Sequence, residues 1–94
     1  MPLSRRQFKL EVVALVDRGR LALSEHVRLD HPERSIDLLE ITQCIRLGTV
    51  LGDPYETPRG DWKAEFFRHA AGKNLTVVVA LRRDTRAVVV TAYR

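Results

Sequence analysis

Apolar residues near the start of the chain recur at helical spacing, with Phe8, Val12, Leu15 and Val16 sharing one face. Ser4 stands where an N-cap is needed, and Gln7 completes the S-x-x-Q spacing of a capping box. With Gly19 as the stop, the pattern predicts an amphipathic helix over Arg5–Arg18. Leu21-Ala22-Leu23 is apolar but too short for periodicity to choose between a strand and a link. Ser24 opens a second helical segment, from Glu25 to about His31, which Pro32 closes because proline pushes its predecessor out of helical geometry. Ser35 is placed to cap a third helix, with Asp37 in its first turn, Leu38, Ile41 and Ile45 as its apolar stripe and Gly48 at its end.

Beyond Gly48 the period becomes extended. Thr49–Gly52 reads as a strand, Asp53–Asp61 as a loop, Trp62–His69 as a strand with imperfect alternation, and Ala70–Asn74 as a turn. Leu75–Leu81 is β-branched and almost wholly apolar, as a central strand covered on both faces would be. Residues 82–86 then make a turn, and Ala87–Tyr93 the last strand. The expected fold class is α+β: two or three N-terminal helices packed on a C-terminal antiparallel sheet of about four strands. A chain of 94 residues supports one small domain and no second core, so 1–94 is read as a single unit.

Composition adds a partner class. Sixteen Lys and Arg against twelve Asp and Glu give a net charge of +4. Most of the cations are Arg, whose planar, bidentate fork suits phosphate. A single Cys excludes a disulfide framework, no apolar run is long enough to span a membrane, and Lys9 and Glu11 interrupt any signal-peptide core. A cytoplasmic protein without cofactor is the expectation.

The candidate chemistry is sparse. His26 and Asp30 share a helix face, where a carboxylate can fix the tautomer of a catalytic imidazole or merely form a solvent-facing pair. His31 lies too far round a helix to chelate a metal with His26, His69 stands alone, and no zinc spacing occurs, so no metal site is expected. Cys44, among Ile41, Ile45 and Leu47, reads as a buried hydrophobe rather than a nucleophile. Trp62, Phe66 and Phe67 read first as core and second as a surface for base stacking. Neither a phosphate-binding glycine loop nor a nucleophile elbow is present. Arg82, Arg83 and Arg86 crowd one turn and Arg94 follows the last strand, while Arg5, Arg6 and Lys9 crowd the first helix. Each group is either a solvated end or, if they share a face, part of a surface tracking phosphates. Thr91 and Tyr93 alternate with Ala92 and project from one side of the last strand, beside Arg94.

Ser24-Glu25-His26-Val27, Glu33-Arg34-Ser35-Ile36-Asp37, Ile45-Arg46-Leu47-Gly48-Thr49-Val50 and the valine-rich strands ending Val90-Thr91-Ala92-Tyr93 together resemble the family known as domain of unknown function 4258. The resemblance covers about Ser24 to Tyr93, leaving 1–19 as an added N-terminal helix. The chain departs from the family pattern at Asp30, where that pattern often carries Arg. The family is distantly similar to the α+β folds of bacterial RelE and ParE toxins. That similarity implies a helix layer on an antiparallel sheet, often with a neutralising antitoxin as partner; it does not by itself deliver an activity, because the same architecture hosts nucleases and non-enzymes. Metal-free RNA cleavage needs a base, cations and an acid, and the candidates are His26 as base or acid, Arg34 and Arg82 or Arg83 as stabilisers of phosphorane charge, and Tyr93 as acid or phosphate donor; of these the family pattern supports His26, Arg34 and Tyr93, together with Thr91. Three functions follow as alternatives. The first is a toxin-type, metal-independent ribonuclease using His26, Arg34 and Tyr93. The second is a non-catalytic nucleic-acid-binding module using Arg82, Arg83, Arg86, Thr91 and Arg94. The third is an interaction domain that pairs with an antitoxin or with a second copy of itself.

Overall fold

The computed structural model of the chain describes residues 2–25, 27 and 36–94. The first helix, α1, runs Arg5–Asp17, with Ser4 accepting a 3.1 Å hydrogen bond from the Gln7 amide N–H. Only that half of the capping box forms. The Gln7 side chain instead donates to Glu11 Oε2. Phe8, Val12 and Leu15 are the buried stripe.

Leu21–Leu23 is a strand, β1. The second helix among the described residues, α2, runs Leu38–Leu47 and buries Ile41, Cys44 and Ile45. Its cap is Asp37, whose carboxylate accepts from the Glu40 N–H at 2.8 Å, rather than Ser35, which lies outside the described residues. Starting at Leu38 turns that residue away from the core, 55% exposed, and puts Cys44 in the stripe instead. The expected helix over Glu25–His31 also lies outside the described residues, apart from Glu25 and Val27, which are helical.

The remaining strands are β2 (Thr49–Glu56), β3 (Trp62–Ala70), β4 (Lys73–Arg82) and β5 (Arg86–Tyr93). They form one five-stranded sheet in the order β1-β5-β4-β3-β2. All pairings are antiparallel except β1 with β5, which is parallel, so the sheet is mixed and not the antiparallel four-stranded sheet expected. A strand intervenes between the helices, which therefore do not all precede the sheet. β2 also runs further than expected, because Gly52, at φ 66°, and Pro54 are absorbed as a bulge between Leu51 and Tyr55. A bulged edge carrying proline resists pairing with another chain.

The core lies on one face of the sheet. Phe8, Val12, Leu15, Ile41, Cys44 and Ile45 from the helices meet Ala64, Phe66, Leu75, Val77, Val79, Leu81, Val89 and Ala92. Phe8 and Phe66 touch with ring centroids 5.7 Å apart. Among the described residues no helix covers the opposite face. The expectation that Leu75–Leu81 is covered on both faces is thus corrected: Leu75, Val77, Val79 and Leu81 are buried under helices, while Val78 and Ala80 face outward and are half-buried.

Candidate nucleic-acid interface

Strand register sets out the uncovered face in rows. At one end Arg82 pairs with Arg86. The next row crosses the sheet as Tyr55, Lys63, Ala80, Val88 and Ala22. Then come Leu51, Glu65, Val78 and Thr91, and after them Thr49, Phe67, Thr76 and Tyr93. Thr91 keeps its place because β5 carries one extra residue, Val90, between the partners of Val78 and Val79. The bulge is fastened by Ser24, whose N–H donates to Val89 O and whose hydroxyl donates to Val90 O at 2.9 Å. Thr76 is almost fully buried, though it faces outward, because Phe67 and Tyr93 flank it on the neighbouring strands.

At the arginine end lies a cleft of about 510 Å³. Ala80, Val88 and Val90 contribute its apolar part, and Arg59, Lys63, Arg82 and Arg86 bring cations to it. Its outer wall is the β2–β3 loop, closed by Thr57 N–H donating to Asp61 O at 2.7 Å and Gly60 N–H donating to Thr57 O at 2.9 Å. Asp61 pairs with Arg82 at 3.1 Å and is the one acid among the described lining residues. The Thr57 hydroxyl is buried with no hydrogen-bond partner among the described residues.

The arginines singled out from sequence divide between the two sides of the sheet. Arg82 and Arg86 line the cleft, but Arg83 reaches to the helix side and grips Glu11 through two hydrogen bonds, 2.9 and 2.8 Å. That grip holds the Glu11 carboxyl below the usual carboxylate range, although partial burial pushes the other way, and it raises Arg83. Arg94 is tied to Glu40 of α2 at 2.7 Å and lines a separate hollow with Arg68 and Lys73. Arg5, Arg6 and Lys9 lie at a third place, against Gly48–Val50, where Lys9 Nζ donates to Gly48 O at 2.7 Å. The basic groups therefore do not merge into one patch.

Thr91 and Tyr93 share the uncovered face, Thr91 directly after the cleft residue Val90 and Tyr93, 41% exposed, in the row farthest from Arg86. The strand rise puts about 20 Å between Tyr93 and Arg86. His26 and Arg34 lie outside the described residues, as do Asp30 and His31. Arg59 and Lys63 were missed by sequence reasoning. Neither sits in a basic run, and only the pairing of Lys63 with Ala80 brings them beside Arg82 and Arg86.

Cys44 is buried, with its Sγ 3.6 Å from both Phe66 O and Leu75 O, and burial pushes the thiol up to about 11. It is a core residue. His69 closes the β3–β4 hairpin against Asn74 and has no part in the cleft. No three His, Cys, Asp or Glu side chains cluster to hold a metal among the described residues, and no described helix is long and apolar enough to cross a membrane.

Among the described residues, two full helices on one side of a mixed five-stranded sheet, with cations gathered at one end of the other side, define a small α+β protein. The chain belongs to the family described as domain of unknown function (DUF4258), whose model matches residues 23–94. No curated protein and no solved structure matches it.

Proposed function

We propose that this protein binds single-stranded RNA along the uncovered face of its sheet. The observation that carries the reading is the cleft, where Arg59, Lys63, Arg82 and Arg86 surround Ala80, Val88 and Val90 against one carboxylate. Cations attract the backbone, and the apolar and aromatic surface running from Val88 to Phe67 and Tyr93 accepts the faces of bases. RNA rather than DNA rests on the likeness of the family pattern to toxin ribonucleases. An antitoxin or a second copy seated on this face competes with RNA in this reading.

The exposed phenol of Tyr93 beside Thr91 favours a second reading, in which bound RNA is cut without metal. The 2′-oxygen attacks phosphorus as His26 takes its proton. The bond from phosphorus to the 5′-oxygen breaks, and Tyr93 protonates the departing oxygen. The products are a 2′,3′-cyclic phosphate and a 5′-hydroxyl, and Arg34 offsets the phosphorane charge. The test is incubation of labelled single-stranded RNA in EDTA over a salt series, with Arg86→Glu, His26→Ala and Tyr93→Phe alongside. Binding should weaken as salt rises and drop about tenfold or more in Arg86→Glu. If the second reading holds, cleavage is lost in folded His26→Ala and Tyr93→Phe. A salt-independent association, or none, removes the proposal.

A further inference from the structure

Charge is distributed unevenly along the proposed RNA path. Arg82, Arg86 and Lys63 occupy the first two rows and Arg59 the adjoining loop, whereas the third row carries Glu65 and the fourth carries Thr49, Phe67, Thr76 and Tyr93. A surface built for internal phosphates only would spread its cations along the strand. Here four cations against Asp61 leave a local charge near plus three, and Glu65 disfavours a phosphate further along the face.

An internal phosphodiester brings one negative charge, too few for this cleft. A terminal phosphate monoester brings nearly two above its second pKa of about 6, and with the adjoining diester it balances the cluster. It also presents three strong acceptor oxygens. The forked guanidinium groups of Arg59 and Arg86 suit bidentate contact with phosphate, and Lys63 adds a third donor. The volume, about 510 Å³, is within the range of small-molecule sites and accommodates one nucleotide.

From this we infer that the cleft between the Thr57–Asp61 loop and the Arg82–Arg86 turn is a phosphate-monoester site that anchors a phosphorylated RNA end, with the following bases directed toward Phe67 and Tyr93. The inference rests on the RNA-binding reading and gives that surface a polarity. The same chemistry is offered by a free mononucleotide, so the two sources must be separated.

The experiment measures anisotropy of short 2′-O-methyl RNA, which resists cleavage through the 2′-oxygen, at pH 7.5 and 0.15 M salt. Four ligands are compared on the full chain: oligonucleotides of one sequence with a 5′-phosphate, a 3′-phosphate or hydroxyl ends, and a competing mononucleotide. One phosphorylated end should bind at least tenfold tighter than the hydroxyl-ended oligonucleotide. That preference should fall to within about twofold in Arg59→Ala and in Lys63→Ala, both checked for an unchanged melting temperature. It should also fade below pH 6 as the monoester gains a proton. Equal binding of all three oligonucleotides, with ordinary salt dependence, overturns the inference and leaves RNA binding standing. Absence of binding by every ligand overturns both. A mononucleotide that binds as tightly as the phosphorylated oligonucleotide retains the monoester site and removes the RNA end as its occupant.

Discussion

Two single residues show how far local geometry decides what the chain tolerates. Gly48 has an ordinary negative φ, so freedom in the left-handed region is not its role. It is pinched between α2 and β3: a Cβ there would meet the carbonyl oxygens of Cys44 and Phe67, 2.5 Å from the latter, and both are backbone atoms that cannot turn aside. Gly48→Ala should therefore destabilise by about 2–3 kcal/mol in denaturant titration. A loss below about 0.5 kcal/mol would show that α2 can shift. Ala71 is the opposite case. It sits with Gly72 in the two-residue β3–β4 turn, at φ 54° and 73°, the pairing that type I′ turns fill with Asn-Gly. Alanine is strained there, and its side chain is exposed. Ala71→Asn should raise stability by about 0.5–1 kcal/mol, read as an increase in melting temperature.

Between elements, Glu11 in α1 is held by two hydrogen bonds to Arg83 in the β4–β5 turn, 72 positions away in sequence. Because Arg83 depresses the Glu11 pKa below its ordinary 4.5, the tie contributes fully above that value. It is lost as pH falls through the lowered folded value. Glu11→Gln should melt at a lower temperature than the parent at pH 7, and the two should converge as the medium is acidified through pH 4.5 and below. A difference that persists at low pH would assign the loss to packing. The length of this tie also shows why parts of the molecule were illegible in sequence. α1 could be read because its cap and its stripe are local, at Ser4 and at Phe8, Val12 and Leu15. β1 could not, since three residues carry no period and its partner, β5, lies more than sixty positions on. α2 is capped by Asp37, which was expected in the first turn behind a Ser35 cap, so Leu38 turns outward and Cys44 joins the buried stripe. Arg82 and Arg86 were visible as members of a basic turn, but no local signal distinguishes them from Arg83 or Arg94, whose acidic partners lie 72 and 54 positions away.

Over the whole molecule, the sheet separates two sets of cations, and the separation has a measurable consequence. Arg82, Arg86, Lys63 and Arg59 gather at the uncovered face, whereas Arg68, Lys73 and Arg94 line a hollow beside α2. The chain measures 38 by 25 by 24 Å, so most of the distance between the two groups exceeds the Debye length of about 8 Å at physiological salt. In the proposed RNA-binding reading, each group acts on the strand only where the strand is in contact with it. Lys73→Glu and Arg86→Glu change net charge equally, yet at 0.15 M salt Arg86→Glu should weaken RNA binding about tenfold or more while Lys73→Glu changes it less than about threefold. At 0.01 M salt the screening length grows to about 30 Å, longer than the molecule is thick, and the two substitutions should approach each other in effect. Equal losses at both salt concentrations would mean that net charge alone attracts the nucleic acid and that the uncovered face has no special role. A larger loss in Lys73→Glu at 0.15 M would move the binding surface to the helix side, where Arg94 and Arg68 become the contacts to vary.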